Sequence, residues 1–384
     1  MRGDKQKNST LSLIQSADVC LSQTHMISYF NTNPTECQEE IDEKFYPKKY
    51  LCFPLARSYE RVHMEKNADR VRHCGDYLDF ADTPDGFKLY DARFCRDRLC
   101  PMCSWRRSYK IFGQISQIMD LIADDYDFLF LTLTVVNCKG SELSATISKM
   151  QKAWTKYFVS NNRVNQRAKD VIKGYFKALE VTHNLNKRSK SYDTYHPHFH
   201  IILAVNKSYF DSRDYIKQKE WLEMWKKAYG DPRITQVDIR KCKSKSVTQD
   251  GCKYAKSLSS AVSEVAKYSV KSSAYVGYFD KDGNPRTYSN NIVDSSVVAL
   301  TAGLSHRRLC EFGGVFRDAR DKLKLDDCEN GDLLYLDYKF RPDVAYAIYR
   351  YSWSCGAYKL ANIRQNDLIF DAETGEVTGG DFFD

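Results

Sequence analysis

Apolar positions change their spacing repeatedly between Tyr126 and Tyr275, and the changes mark out a run of alternating elements. FLFLTLTVV (Phe128 to Val136) is apolar, β-branched and aromatic almost throughout, which predicts a buried strand. Ile147, Met150, Trp154 and Phe158 then recur at helical spacing within Ser144 to Val159. GYFKALEVT (Gly174 to Thr182) and, after a basic loop, FHIILAV (Phe199 to Val205) read as two further strands. Ser212 to Tyr229 is amphipathic and predicts a helix with Ser212 as its cap, followed by a strand at Ile234 to Ile239. Ser259 to Ser273 closes the run as a helix. Strand, helix, strand, strand, helix, strand, helix is the split β-α-β order of a ferredoxin-like antiparallel sheet in an α+β fold.

The flanking regions are less regular. Residues 1–50 form a polar segment, 51–125 a mixed module holding a cysteine cluster, and 276–384 a C-terminal region suited to DNA binding or oligomerisation. The 384 residues allow two or three domains. No apolar run approaches the roughly 18 residues needed to span a bilayer. The polar opening MRGDKQKNST lacks the apolar stretch of a signal peptide, so a cytoplasmic protein without membrane contact is expected.

Charge refines this picture through its distribution. The net charge is only +8, but Thr235 to Ser272 carries eight Lys or Arg against three acids, and Arg93 to Lys110 six against one. Gln365 to Asp384 holds six acids and no base. Basic patches of this kind suit a polyanion such as nucleic acid, or else solvated surface.

Three of the eight histidines stand at alternate positions in HPHFH, His196 to His200. In a strand His198 and His200 share one face, roughly 6.6 Å apart at Cα, while Phe199 and Ile201 take the other. Two neutral imidazoles so placed can converge on a divalent ion, with Glu180 as third ligand and His183 as the alternative. Imidazole and carboxylate with open positions suit Mn²⁺ or Mg²⁺ acting on phosphate. His196 precedes Pro197, which belongs at a strand start or edge, so its face is not set by parity.

Downstream, SEVAKYSVK places Glu264, Tyr268 and Lys271 on one helix face. A tyrosine with a pKa near 10 is a poor nucleophile until a metal polarises its target and a cation such as Lys271 or Lys267 steadies the charge. Glu264 is placed to accept a proton from the phenol or from water.

Thirteen cysteines without a secretory signal suggest metal ligands before disulfides. FCRDRLCPMC supplies Cys95, Cys100 and Cys103, and Cys74, with His73 as the alternative, completes a closed structural Zn²⁺ set. Arg106, Arg107 and Lys110 follow, interleaved with Trp105 and Tyr109. They read either as a DNA-binding face or as solvated cations around a packed tryptophan.

HPHFHIIL resembles the His-hydrophobe-His motif of HUH endonucleases, FLFLTLTV their first motif and EVAKYSVK their tyrosine motif. With the upstream CP-x-C cluster, the chain resembles rolling-circle replication initiators (Rep) of small Gram-positive plasmids over roughly Cys74 to Tyr275. The resemblance implies a ferredoxin-like HUH domain beside a four-cysteine zinc module and a C-terminal α/β extension. It implies that Tyr268 attacks the nick site of the plasmid double-strand origin in unpaired hairpin DNA, becomes linked to the 5′ phosphate and releases a 3′ hydroxyl. It further implies that His198, His200 and Glu180 hold the divalent metal, that Glu264 activates water at termination, and that a host helicase and single-strand-binding protein are partners. A homodimer remains open. A mobilisation relaxase or single-strand transposase would share these motifs, and a non-catalytic zinc-stabilised DNA-binding protein is the reading from another class.

Overall fold

A computed structural model describes residues 38–378 apart from 84–85, 161–164, 243–245, 250–251, 256–261, 263–264, 267–269, 335–345, 353, 366–367, 372–373 and 375–376. In chain order the elements begin with α1 (Gln38–Arg61), α2 (Glu65–Arg72), β1 (Tyr77–Thr83), β2 (Gly86–Ala92), α3 (Pro101–Ile122), β3 (Tyr126–Thr134), α4 (Leu143–Trp154) and α5 (Gln166–Val171). Then come β4 (Gly174–Asn184), β5 (Thr194–Asn206), α6 (Gln218–Tyr229), β6 (Val237–Lys241), β7 (Ser246–Gln249), β8 (Cys252–Ala255), β9 (Gly277–Phe279) and β10 (Pro285–Thr287). α7 (Asn290–Leu304), β11 (Cys310–Gly314), α8 (Val315–Lys322), β12 (Tyr346–Ser352), β13 (Ala357–Gln365), β14 (Leu368–Asp371) and β15 (Val377–Thr378) complete the described chain. Among the described residues no helix is long and apolar enough to cross a membrane.

These elements fall into two compact units, the first from segments 1–50, 72–95 and 334–384, the second from 51–71 and 96–333. The first is built on an antiparallel sheet in the order β15-β14-β13-β12-β1-β2. Phe45 meets Phe80 and Tyr358 edge-on, with ring centroids 5.8 and 6.3 Å apart. Asp79 is fully buried and takes a hydrogen bond from Arg364 at 3.0 Å. Burial raises its pKa to about 6, against the opposing pull of Arg364 and Tyr77. The folded value lies above the unfolded one of about 3.9, so the folded chain keeps this proton longer and stability falls as pH rises from about 4 to about 6. Thermal melts of Asp79→Asn should lose that slope, which carries about 2–3 kcal/mol in the parent chain.

The second unit contains the alternating run. Its sheet is antiparallel throughout, in the order β11-β4-β5-β3-β6. The four strands expected from the apolar runs are all present. β5 starts at Thr194 rather than Phe199, which draws every histidine of HPHFH into the strand. Pro197 pairs with Val181 of β4, beyond the last β3 pair at Thr134–His198, so its missing N–H costs no bond to β3. The second predicted helix begins at Gln218, where the Glu220 carboxylate accepts from Lys217 N–H at 2.8 Å. Ser212 instead closes a local turn, its Oγ donating to the Tyr209 carbonyl at 3.2 Å. The fifth strand, β11, lies in the segment that the apolar pattern left irregular. It passes so close to β4 that a Cβ on Gly174 would stand 2.8 Å from Gly313 O. Gly314, at φ +54°, makes the turn from β11 into α8.

Parity divides this sheet into two different faces. Leu129, Leu131, Leu133, Phe199, Ile201 and Leu203 occupy one face, where Phe199 approaches Trp225 of α6 at 6.4 Å. Trp154 stacks on Phe158 at 5.0 Å in the same layer. The opposite face is apolar at one end, where Phe128, Phe130, Phe176, Ala178, Ile202 and Ala204 pack with Ile111, Ile115 and Ile118 of α3, Phe316 of α8 and Val262, Val265 and Ala266. Complete burial of each such side chain contributes about 1.5–3 kcal/mol. Toward the other end the same rows become Thr132, Thr134, Glu180, Thr182, His196, His198 and His200.

Candidate metal centre and its surroundings

The register explains why these polar side chains meet. Glu180 lies directly opposite His198, while Ala178 and Thr132 flank His200 on its two sides. Alternation along β4 and β5 therefore presents Glu180, His198 and His200 together, all buried, with their ligand atoms within 4.8 Å of one another. His200 Nε2 is 3.0 Å and His198 Nε2 3.6 Å from the same Glu180 oxygen, Oε2. Lys271 Nζ lies 3.3 Å from the other oxygen, Oε1.

Both rings are oriented from behind. His198 Nδ1 is 3.0 Å from the His196 carbonyl, an acceptor only, so Nδ1 carries the proton and donates it there. His200 Nδ1 stands 3.2 Å from Thr132 Oγ1. A neutral His198 then turns its Nε2 lone pair toward a carboxylate oxygen, an arrangement stable only with a cation between them or a second proton on the ring. Burial acts to raise the pKa of Glu180, but the neighbouring His198 and His200 rings and the charge of Lys271 outweigh it and hold the carboxyl well below the usual range. The donor set thus fits a divalent ion: cis ligands with bonds of about 2.1 Å stand roughly 3 Å apart.

His183, the alternative third ligand, lies on the opposite parity. Its Nε2 is 2.9 Å from Asp193 Oδ1 and its Nδ1 3.0 Å from Ser296 Oγ, and the ring stacks on Tyr195 with centroids 4.2 Å apart. Those contacts serve packing between β4 and α7. His196 is partly buried and stacks on His198 at 5.2 Å, with burial foremost in pulling its pKa down to about 4.

Glu264, Lys267 and Tyr268 lie outside the described residues. Their neighbours are described. Ala266 N–H donates to Val262 O at 2.8 Å, a helical turn whose Val262, Val265 and Ala266 pack on the sheet. Lys271 follows Tyr268 by three positions and reaches Glu180.

The four cysteines singled out by spacing are all buried. In the first unit Cys74 Sγ accepts from Cys95 N–H at 3.5 Å. His73, the alternative to Cys74, turns its Nδ1 to Asp76 at 2.7 Å. In the second unit Cys100 precedes Pro101 at the start of α3, and Cys103 Sγ accepts from Arg96 N–H at 3.2 Å. Backbone N–H donation to sulfur is the environment that suits a thiolate ligand.

At the expected DNA-binding face, Arg106, Arg107 and Lys110 each also bond within the protein. Arg106 Nε donates to Leu333 O at 3.1 Å, and Arg107 to Glu329 O and Asp97 O, both at 3.2 Å. Lys110 is 4% exposed, with Nζ 2.6 Å from Asp326 Oδ2. The helical period that placed these cations after the cysteines also turns Lys110 toward the loop following α8. Lys110 is therefore buried by these contacts, while Arg106 and Arg107 stay half-exposed.

Thr132 escaped notice because its role depends on register across strands. The aromatic hairpin β9–β10 was visible only as a turn signal.

The sequence model of a family described as Replication protein matches residues 86–359. "Protein rep" of Streptococcus pneumoniae serotype 2 is 36% identical over 302 residues, 77% of this chain and 84% of that protein. "Protein rep" of a Bacillus species is 38% identical over 301 residues, covering 74% and 92%. A further "Protein rep", from Staphylococcus aureus, is 36% identical over 239 residues, covering 61% and 95%. No solved structure matches the chain. Since the family match spans well over half of the residues and includes both the histidine strand and the tyrosine segment, the chain belongs to the replication protein (Rep) family.

Proposed function

We propose that the protein is a plasmid replication initiator that nicks one strand at the double-strand origin through a 5′-phosphotyrosine intermediate and rejoins the strand at termination. The observation that carries this reading is the convergence of Glu180, His198 and His200 with Lys271, the residue that ends the tyrosine segment. The strand order β4-β5-β3-β6 is that of a ferredoxin-like split β-α-β unit, as an HUH endonuclease domain requires. Membership of the Rep family favours replication over a relaxase or transposase using the same chemistry.

Glu180, His198 and His200 would hold Mn²⁺ or Mg²⁺, which supplies Lewis-acid polarisation of a phosphoryl oxygen. Tyr268 Oη attacks phosphorus while the bond to O3′ breaks, leaving a phosphotyrosine on the 5′ side and a 3′ hydroxyl that primes synthesis. In the first transfer Glu264 takes up the phenol proton, and the departing O3′ is protonated by solvent; at termination Glu264 activates a water that cleaves the regenerated nick site, and the 3′ hydroxyl so formed attacks the phosphotyrosine, which closes the strand and frees Tyr268. Lys271 and Lys267 offset the charge that accumulates at phosphate and phenolate. His196 orients His198 through its carbonyl. Unpaired DNA is the substrate that the resemblance to HUH endonucleases implies, because the flexible backbone of a single strand can be turned to set its phosphate in line with the tyrosine.

A labelled single-stranded origin oligonucleotide incubated with Mn²⁺ should yield a product ending in a 3′ hydroxyl, and excess EDTA should prevent it. Cleavage that survives EDTA would refute the metal assignment. Cys74, Cys95, Cys100 and Cys103 are proposed to hold a structural Zn²⁺, supported by their burial and by backbone N–H donation from Cys95 to Cys74 Sγ and from Arg96 to Cys103 Sγ. Elemental analysis should find about one zinc per chain, and Cys103→Ser should lose it with a fall in Tm.

A further inference from the structure

Beyond Glu180 and His198 the next pair on the same sheet face is Thr182 and His196, one pleat repeat of roughly 6.6 Å along the strands. These two open into a groove of about 610 Å³, lined also by Asn137, Asn184, Tyr278 and Tyr288. Its aromatic wall belongs to a small, well-defined hairpin. Tyr278 pairs with Arg286 across β9 and β10, Gly283 makes the turn at φ +77°, and Asp280 binds Arg286 at 2.8 Å. The ring of Tyr278 remains 43% exposed, 6.4 Å from that of Tyr288. Tyr288 is anchored, its hydroxyl donating to Ser273 O at 2.7 Å, two residues after Lys271. Asn186, on the loop joining β4 to β5, also lines the groove, and Lys187, Arg188 and Lys190 stand exposed on the same loop.

We infer that this groove is a subsite for unpaired DNA next to the scissile phosphate, in which bases stack on Tyr278 and Tyr288 and the backbone runs past Lys187, Arg188 and Lys190. The inference rests on reading the metal centre as one that acts on a DNA phosphate. An aromatic face accepts any base, while Asn137 and Asn184, whose amides bond to Thr194 Oγ1 and Ser189 Oγ, hold the wall of the groove in place. A groove that only excluded solvent would need neither an exposed tyrosine nor exposed cations on the loop that lines it. His196 stands where the groove meets the metal centre, so a strand lying in the groove leads to Glu180, His198 and His200.

The test is fluorescence anisotropy of labelled single-stranded oligothymidylate with the full chain in EDTA, where no cleavage interferes. Wild type should bind the single strand more tightly than the same length of duplex. Tyr278→Ala should weaken single-strand binding by about tenfold, as loss of one stacked base predicts. Tyr278→Phe, which keeps the ring, should bind like wild type. Replacing Lys187, Arg188 and Lys190 by Ala should lower the slope of log affinity against log salt by about 2. Photocrosslinking of 5-iododeoxyuridine in the same strand should map to the peptide containing Tyr278. Unchanged affinity of Tyr278→Ala at unaltered Tm, or crosslinks that map elsewhere, would overturn the inference. A wild-type chain that shows the Tyr278 dependence yet never nicks in Mn²⁺ would support the groove and remove the proposed chemistry instead.

Discussion

Replacement of Tyr268 by Phe should abolish the covalent protein–DNA adduct while non-covalent binding of the same oligonucleotide stays within about twofold. Phenylalanine keeps the ring but carries no oxygen to form the phosphoester, so the expected effect falls on chemistry. None of the other 25 tyrosines should compensate if, as proposed, the nucleophile must stand in line with a phosphate held at Glu180, His198 and His200. Lys271 strengthens this expectation, since it brings the chain to 3.3 Å from Glu180 only three residues after Tyr268. Denaturing gels of labelled DNA with each variant give the result. An adduct of undiminished yield in Tyr268→Phe would transfer the role to another side chain.

The second large effect separates the three neighbouring histidines. His198→Ala and His200→Ala each remove one of two imidazoles aimed at Glu180 and should reduce nicking by a factor of about 10³ or more, as loss of metal-based charge stabilisation predicts. His196→Ala should weaken nicking by about tenfold, because the backbone carbonyl that holds His198 Nδ1 survives the substitution. Calorimetric titration with Mn²⁺ distinguishes the two classes: binding disappears in the first pair and persists in the third. Equal loss of metal in all three would mean that His196 is itself a ligand.

How far the chain announced this arrangement depends on whether a feature is local. FLFLTLTVV, GYFKALEVT and FHIILAV are apolar over whole strands because both faces of that part of the sheet are covered, and such runs are readable without knowledge of the fold. Parity alone put His198 and His200 on one face. The choice of Glu180 over His183 required register, since only the pairing of Glu180 with His198 makes the two strands present their ligands at the same level. Cations were the least legible. Arg106, Arg107 and Lys110 read as a basic surface, yet each bonds to the backbone or acids of residues 97 or 326–333, and contacts more than 200 positions away leave no trace in spacing. The same holds for β11, whose Gly-rich sequence CEFGG lacks the alternation of a half-buried strand but fits where two backbones pass too closely for side chains.

If a tyrosine attack is directed by the centre formed by Glu180, His198 and His200, the adduct must sit on one side chain. Trapping the covalent complex with Mn²⁺ on a labelled single strand, digesting it and sequencing the modified peptide by mass spectrometry locates it. The predicted result is a single nucleotide-bearing peptide with the 5′ phosphate on Tyr268, formed in Mn²⁺ and absent in EDTA or with His200→Ala. A modified peptide from any other segment, or a Tyr268 adduct of equal yield in EDTA, would contradict it.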